Sequence, residues 1–245
     1  MRNVNIYSMP AVWDAISAQF GGEEYFVDIA RKLGGPVLEI GSGTGRMVEA
    51  ISNHGIKCTG LDLAPEMVRF ASRKIPNATF IEADMRNFDL GMRFKFIFSA
   101  NNTMQYLHAS DDFLSALRAM RTHLQPDGRF VFSIINPRRE RIAPLDKPVK
   151  AMSFKDPASQ REVIIWETFS FEPETKIGVT RWEHHDQGRP ILAYEFPLIF
   201  RDHNEVSELC ELGGFDLEKI EGDHEGTTFS PGQSRNMVFT LALAD

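Results

Sequence analysis

Hydrophobic residues follow two different periods along the first 136 positions of the chain. Short apolar runs predict strands that are covered on both faces, and the stretches between them carry apolar residues every three or four positions, which predicts amphipathic helices. Phe26, Ile29, Ala30 and Leu33 form one such helical face, which Gly34 ends. Strands that alternate with helices predict an α/β fold with a doubly wound, mostly parallel sheet and helices on both faces. The predicted strands are 37–40, 56–63, 77–81, 94–99 and 129–135.

Local signals place several boundaries in this pattern. Pro126-Asp127-Gly128 predicts a turn just before the fifth strand. Ser110 predicts the N-cap of a helix whose apolar face includes Phe113 and Leu117. Asp202 followed by Glu205 predicts a capping box at the start of a later helix.

The pattern changes after residue 136. Residues 161–200 are rich in β-branched and aromatic residues, with turn signals at 172–174 and 186–188. This predicts an antiparallel β insertion after the fifth strand. Residues 215–220 and 236–243 then predict a closing pair of strands, which brings the main sheet to seven.

Composition narrows the class of protein. Hydrophobic residues make up 42% of the 245 positions and charged residues 25%, as in soluble globular proteins. No apolar stretch is long enough to cross a bilayer, and the N-terminus lacks a secretory signal pattern. The net charge of −7 argues against a broad nucleic-acid surface. The two cysteines are too few for a disulfide framework or a zinc knuckle. We therefore expect a cytoplasmic protein.

The segment 37–46, VLEIGSGTGR, carries the strongest chemical signal. Glycines at 41 and 43 allow a tight turn and close approach of a ligand to the backbone, and the following helix offers unpaired N–H groups to it. A dinucleotide fingerprint would have its third glycine at position 46, where this chain has Arg46, and Gly45 carries it instead. The spacing therefore disfavours a nicotinamide dinucleotide.

Two carboxylates follow at the ends of later strands. Asp62 ends the second predicted strand, where a carboxylate can accept hydrogen bonds from both ribose hydroxyls of an adenosine-containing ligand. Asp84 follows the third, where it can accept from an adenine amino group while Met85 packs on the ring. Either carboxylate alone is typical of a helix cap. Together they indicate a ligand site at the carboxyl edge of the sheet.

These motifs resemble those of the class I S-adenosylmethionine-dependent methyltransferases. LEIGSGTG resembles the first motif of that family, LDLAPEMVRFA the second and EADMRNF the third. HLQPDGRFVFSIINP resembles the fifth-strand signature, although Asp127 stands where many members have glycine. The insertion and the C-terminal tail are similar to those of small-molecule members such as nucleotide-sugar and peptide N-methyltransferases. Many nucleic-acid members carry an Asn/Asp-Pro-Pro-Tyr motif after the fourth strand. This chain has Ser99-Ala100-Asn101-Asn102 there instead, which argues against DNA adenine methylation.

The resemblance implies S-adenosylmethionine as cofactor, S-adenosylhomocysteine as product and methyl transfer to an N or O nucleophile of a small molecule. It implies an S-adenosylmethionine-binding domain of residues 1–136 and 201–245, with 137–200 as a substrate cover or dimer contact. The expected cofactor-binding residues are Glu39, Gly41, Ser42, Gly43, Gly45, Asp62, Leu63, Met67, Ala83, Asp84, Met85, Ala100 and Asn101.

Candidates for the acceptor side lie near the N-terminus and after the fourth strand. His108 and Tyr7 are candidate catalytic groups, because a hydroxyl acceptor needs a base. Tyr7 and Trp13 are interpreted either as a lid over the site or as anchors of the first helix. Tyr106 and His108 are also typical of packing or surface residues. The substrate candidates are Tyr7, Trp13, Tyr106, Asn136 and Arg138.

Several alternatives remain open at this stage. Six basic against two acidic residues between 137 and 155 indicate a contact for a phosphorylated or carboxylated substrate, or a solvated basic loop. This patch keeps a protein or tRNA methyltransferase among the alternatives, beside a nucleotide-dependent oxidoreductase and a non-catalytic cofactor-binding module. His184, Asp186 and His203 resemble an iron triad, but the hairpin signal at Asp186 argues against it, and we expect no metal. Exposed insertion strands could pair two subunits into a homodimer.

Overall fold

The computed structural model describes residues 1–244. Residue 245, at which the predicted domain of residues 1–136 and 201–245 ends, lies outside the described residues. The chain forms one seven-stranded and one five-stranded sheet. Strands are β1 Arg2–Asn3, β2 Val37–Ile40, β3 Cys58–Asp62, β4 Thr79–Glu82, β5 Phe94–Ser99, β6 Leu124–Ile135, β7 Val149–Lys155, β8 Glu162–Glu172, β9 Ile177–Asp186, β10 Arg189–Ile199, β11 Phe215–Glu221 and β12 Asn236–Leu243. Helices are α1 Pro10–Ser17, α2 Glu23–Leu33, α3 Arg46–Ser52, α4 Pro65–Lys74, α5 Ser110–His123, α6 Arg139–Ile142 and α7 His203–Leu212, with 3-10 turns at Ile6–Ser8 and Thr103–Tyr106.

The seven-stranded sheet has the order β11-β12-β6-β5-β2-β3-β4. Strands β2 to β6 are parallel, and β12 runs antiparallel to both of its neighbours. The predicted doubly wound, mostly parallel sheet is confirmed. The chain winds outward from β2 through β3 to β4 and then returns to β5 on the other side of β2, so the carboxyl ends of β2 and β5 border a crevice.

Helices cover both faces of this sheet. On one face α2 and α3 bury Phe26, Val48 and Ile51 against Phe96 and Phe98 of β5. On the other face, α5 and α7 form a second buried cluster with the opposite side chains of the strands, including Phe130 and Phe132 of β6. No helix in residues 1–244 is long and apolar enough to span a membrane.

The five-stranded sheet has the order β1-β10-β9-β8-β7, and β7 to β10 form an antiparallel meander. The predicted antiparallel insertion is therefore confirmed. Its inner face buries Ile165, Phe169 and Phe196 in a third cluster that also holds Ile16 of α1. Strand β1 pairs in parallel with β10, so the N-terminal residues belong to the sheet formed by the insertion. The division into the two predicted domains stays a prediction.

Two local predictions were wrong. Residues 126–128 form no separate turn, because β6 already begins at Leu124. They lie where the register between β5 and β6 shifts, since Phe94 pairs with Leu124 and Phe96 pairs with Arg129. Ser110 is the first residue of α5, its N-cap is Ala109, and no side chain caps the helix. The capping box of Asp202 and Glu205 is confirmed at the start of α7.

Candidate functional site

A cavity of about 680 Å3 lies at the carboxyl edge of the seven-stranded sheet. One wall is formed by the loop after β2 and by the ends of β3 and β4. The opposite wall is the inner face of the five-stranded sheet, and the N-terminal segment closes one side. The cavity therefore joins the two sheets, and residues from widely separated parts of the chain meet in it.

The glycine-rich loop adopts a backbone that favours glycine at all three positions. Gly41, Gly43 and Gly45 have φ values of +74°, +53° and +85°. A Cβ on Gly41 would lie 2.4 Å from Cγ2 of Thr103, and one on Gly45 would lie 2.7 Å from the side chains of Ile75 and Phe80. A Cβ on Gly43 would have more space, because its nearest contact would be Nε1 of the Trp13 indole at 3.5 Å. Two glycines therefore permit close packing, and Gly43 leaves the backbone open toward the cavity.

Asp62 fixes the shape of this loop from the end of β3. Its Oδ2 accepts a hydrogen bond from the Gly43 N–H at 2.8 Å, and its Oδ1 accepts one from the Ala64 N–H at 2.8 Å. Burial raises the pKa of the Asp62 carboxyl, and these backbone hydrogen bonds oppose the increase. Each carboxylate oxygen has a second lone pair, so Asp62 retains acceptor capacity on the cavity wall.

Glu39 lies deeper, at the carboxyl half of β2. Glu39 is 3% exposed, and its Oε2 atom has no hydrogen-bond partner among residues 1–244. Burial raises the pKa of the Glu39 carboxyl well above its ordinary value, while the cationic Arg46 opposes the increase. A buried carboxylate oxygen without a partner is unfavourable in the free protein, so a hydrogen-bond donor brought by a ligand to Oε2 would stabilise Glu39.

Asp84 and Leu63 form the outer part of the same wall. The Asp84 carboxylate accepts hydrogen bonds from the Arg86 guanidinium, at 2.6 Å from Nη2, and this pairing lowers the pKa of Asp84. Leu63 is 66% exposed although it is large and apolar. The outer wall therefore offers both a paired carboxylate and an uncovered apolar surface.

Aromatic side chains from the N-terminal segment lie across the cavity from this loop. The Tyr7 and Tyr106 hydroxyls are 2.6 Å apart. The Trp13 ring packs edge-on against Tyr7 and Phe20 and contacts Phe196 of β10, with ring centroids 5.5, 5.8 and 6.1 Å apart. Burial raises the pKa of Tyr7 well above its ordinary value and that of Tyr106 to about 12. Both phenols are therefore neutral at physiological pH.

Comparison with known proteins identifies this arrangement. Residues 37–128, which contain the loop and the ends of β3 and β4, match the family described as a methyltransferase domain. Residues 37–128 are therefore similar to a methyltransferase domain.

Individual relatives agree with this family. A dTDP-3-amino-3,4,6-trideoxy-alpha-D-glucopyranose N,N-dimethyltransferase of Streptomyces venezuelae is 30% identical over 92 residues, which are 38% of this chain and 39% of the relative. The matched part thus spans about two fifths of that relative's length. The CcbJ methyltransferase from Streptomyces caelestis has a similar fold, with a TM-score of 0.79, 22% identity and coverage of 91% of this chain and 89% of the other. An amino pentose methyltransferase from Micromonospora echinaspora, solved with SAM bound, has a TM-score of 0.75, 21% identity and coverage of 95% and 97%.

Most residues expected to bind the cofactor of the methyltransferase domain line the cavity. Three others lie behind it. Gly45 packs against Ile75 and Phe80, and Met67 and Ala100 are buried in the protein core. The residues that line the cavity are Glu39, Gly41, Ser42, Gly43, Asp62, Leu63, Ala83, Asp84, Met85 and Asn101.

The acceptor candidates divide in the same way. Tyr7, Trp13 and Tyr106 line the cavity, whereas three others are engaged elsewhere. His108 Nε2 lies 2.9 Å from the Pro197 carbonyl oxygen, Asn136 donates to the carbonyls of residues 231 and 234, and Arg138 donates to the carbonyl of residue 233. These hydrogen bonds join segments that are about 90 positions apart in the sequence.

The sequence interpretation expected the insertion to cover the substrate, but it did not identify which of its strand side chains line the cavity. Side chains of β7, β8, β9 and β10 line the cavity, and the short helix α6 adds one basic residue. The alternation of apolar and polar positions in 162–199 was the available signal, but it does not indicate which face turns inward. The missed residues are Met152, Glu167, Thr180, Trp182, Phe196 and Leu198, and Arg141 is the member of the basic stretch 137–155 that lines the cavity with them.

Proposed function

We propose that the protein transfers a methyl group from S-adenosylmethionine to an N or O nucleophile of a small molecule. The observation that carries this proposal is the shared cavity, in which the glycine loop with Glu39 and Asp62 faces the aromatic residues Tyr7 and Trp13. A cofactor wall and an acceptor wall that enclose one space are what methyl transfer requires, because the two reactants must meet in one orientation.

The residues on the first wall fit S-adenosylmethionine. The unpartnered Oε2 of Glu39 suits the ammonium of the methionine part, and the free acceptor capacity of Asp62 suits ribose hydroxyls. The uncovered side chain of Leu63 suits the apolar face of adenine. Asp84 and Met85 would border the adenine edge, with Arg86 holding the Asp84 carboxylate in place.

When bound, S-adenosylmethionine supplies an electrophilic methyl group on a positively charged sulfur. The protein then has to orient the acceptor, keep water away and leave the attacking atom unprotonated. Tyr7, Tyr106 and Trp13 exclude water from one side of the cavity, and the inner face of the insertion does so from the other. Displacement in line with the sulfur–carbon bond is the geometry we expect between these two walls.

The relatives support a small-molecule acceptor. Two of the proteins named above are methyltransferases of amino sugars by their names. The net charge of −7 disfavours a polyanionic acceptor such as tRNA.

The test is a labelling experiment with S-adenosylmethionine that carries a deuterated methyl group. The protein is incubated with a deproteinised cell extract and, separately, with total tRNA and total protein, and products are analysed by mass spectrometry. We expect a labelled small molecule that is absent with the Asp62→Ala variant. Label that appears only in tRNA or protein would overturn the small-molecule assignment, and label in none of the three fractions would overturn the proposed activity.

A further inference from the structure

The inner face of the insertion is an apolar wall with one carboxylate in it. Met152, Trp182, Phe196 and Leu198 supply most of its surface, and Glu167 of β8 supplies the charge. Glu167 and Trp182 are paired neighbours on adjacent strands, so their side chains share this face.

Glu167 is held in a fixed position without being neutralised. Its Oε2 accepts a hydrogen bond from Nε1 of Trp182 at 2.7 Å, and Trp182 is 9% exposed. No cationic side chain of residues 1–244 forms an ion pair with Glu167. An oriented carboxylate with a free oxygen on an apolar wall strongly favours a cationic ligand, because the surroundings screen its charge poorly.

A cationic side chain on the same wall, Arg141, also has no oppositely charged partner. The Arg141 guanidinium lies over the Phe169 ring, with Cζ 5.3 Å from the centroid. Phe169 follows Glu167 by two positions on the same strand face, a distance of about 7 Å along the strand. Within the described part of the chain, the Arg141 side chain donates no hydrogen bond and forms no ion pair, whereas Arg138 nearby is bonded to a backbone carbonyl.

Opposite charges that share a wall normally pair with each other, yet Glu167 and Arg141 do not. Each is held instead by an aromatic residue, Trp182 or Phe169. Both charged groups therefore remain available to the cavity. A ligand that carries an amine and an anion can satisfy both at once, and a guanidinium binds carboxylate and phosphate groups alike through paired hydrogen bonds.

We propose that the methyl acceptor is a small zwitterion, whose ammonium is bound by Glu167 and whose carboxylate or phosphate is bound by Arg141. The ammonium passes one proton to the Glu167 carboxylate, and the neutral nitrogen then forms its bond to the methyl carbon as the sulfur–carbon bond breaks, which leaves S-adenosylhomocysteine. Trp182 acts as a positioning residue, because it holds the Glu167 carboxylate toward the cavity. This inference rests on the proposed function and deepens it by selecting an amine over a hydroxyl acceptor. It also gives a role to one member of the basic stretch 137–155, Arg141, which contacts the cavity.

The test measures binding of matched probes to the protein saturated with S-adenosylhomocysteine, by isothermal titration calorimetry. The carboxylate set is tyrosine, tyramine and 4-hydroxyphenylpropionate; the phosphate set is glucosamine 6-phosphate, glucosamine and glucose 6-phosphate. We expect the zwitterion of at least one set to bind at least about tenfold more tightly than both of its single-charge counterparts, and the set that responds identifies the anion. If neither zwitterion is preferred, the acceptor proposal is wrong.

Variants assign the preference to residues. Glu167→Gln keeps an oxygen for the Trp182 N–H and should abolish the preference for the amine, whereas Arg141→Gln should abolish the preference for the anion. Trp182→Phe keeps the ring but removes the N–H, so the amine preference should fall while the anion preference stays. The matched controls are Glu172→Gln, exposed on the same strand, and Arg139→Gln, exposed on the same short helix.

The outcomes separate this inference from the proposed function. If S-adenosylhomocysteine fails to bind the wild-type protein, the proposed function fails first. If it binds and the preference survives both Glu167→Gln and Arg141→Gln, or falls equally in the control variants, only the acceptor proposal is overturned.

Discussion

The hydroxyl groups of Tyr7 and Tyr106 lie 2.6 Å apart, although 99 positions separate the two residues in the sequence. Tyr7 belongs to the N-terminal segment that joins the five-stranded sheet, and Tyr106 ends the 3-10 turn after β5 of the seven-stranded sheet. This hydrogen bond therefore connects the two layers at the cavity. Each phenol is largely buried and satisfies the other.

A double-mutant cycle on this pair should show coupling. Tyr7→Phe or Tyr106→Phe alone leaves the other hydroxyl without its partner, so each should lower the free energy of unfolding by about 1 kcal/mol. The double variant leaves no orphaned hydroxyl and should lose less than the sum of the two. Urea denaturation of the four proteins measures this, and additive losses would show that the two hydroxyls do not stabilise each other.

Cofactor binding should stabilise the protein selectively. At one hundred times its dissociation constant, S-adenosylhomocysteine should add about 2.7 kcal/mol, or roughly 5–10 °C in Tm, whereas NADH at the same concentration should add nothing. Asp62→Ala should remove most of this shift, and Asp84→Ala should remove less because adenine also gains from apolar contacts.

The Asp62 variant needs a control, because Asp62 also holds the backbone of Gly43 and Ala64. Asp62→Asn keeps one oxygen for these N–H groups, so it should preserve more of the loop while still weakening ligand binding. A full thermal shift in Asp62→Ala would show that ribose is bound elsewhere, and no shift in the wild-type protein would remove the cofactor assignment. Differential scanning fluorimetry provides both readings.

Glu39→Gln should stabilise the ligand-free protein in a pH-dependent way. Burial raises the pKa of this carboxyl in the folded state above its ordinary value of 4.5, so the folded protein binds the proton more tightly than the unfolded chain does. Wild-type stability therefore falls as the pH rises above 4.5 toward the folded-state pKa, and the variant lacks this loss. The variant should therefore be more stable than the wild type at pH 8 and equal to it at pH 4.

Urea denaturation across this pH range, without ligand, measures the difference between the two proteins. Two stability curves that run parallel from pH 4 to pH 8 would contradict the burial of the Glu39 carboxylate with its unpartnered Oε2. The same variant should bind S-adenosylhomocysteine more weakly than the wild type, since it lacks the charge that the ammonium would meet.

Trp13→Ala should reduce turnover more than cofactor affinity. Trp13 contacts Tyr7, Phe20 and Phe196, so its removal opens the acceptor side of the cavity to water. We expect kcat to fall by about tenfold or more, with the acceptor that the labelling experiment identifies, while the Kd of S-adenosylhomocysteine changes by less than about threefold. Unchanged kinetics with reduced thermal stability would show that Trp13 only anchors α1.

The parallel sheet could be predicted because its signals are local. The apolar runs, the glycine-rich loop and the capping box at Asp202 each depend on residues within a few positions of one another. The carboxyl-edge position of Asp62 and Asp84 followed from strand order alone. The hydrogen-bond partners of the two carboxylates could not be predicted in this way, because the pairing of Asp84 with Arg86 depends on side-chain rotamers.

The acceptor wall could not be predicted because it depends on non-local packing. Strand alternation places Glu167 and Phe169 on one face of β8, but only the pairing of the two sheets decides that this face lines the cavity. The pairing of Arg2 with Leu192, and the contact of His108 with Pro197, join segments about 190 and 90 positions apart. The periodicity of hydrophobic positions along the sequence carries no information about such contacts.

The parallel pairing of β1 with β10 has a consequence for how acceptor choice can change. Residues 149–199 encode most of the acceptor wall as one contiguous stretch, so exchange of that stretch between homologous chains is a short route to a new substrate. The N-terminal segment, however, is hydrogen-bonded to this stretch at Ala193 and to the other sheet through Tyr106. A chimaera that replaces 149–199 alone would also change the side chains against which Val4, Tyr7 and Trp13 pack, so we expect such an exchange to succeed only when the N-terminal segment is exchanged with it.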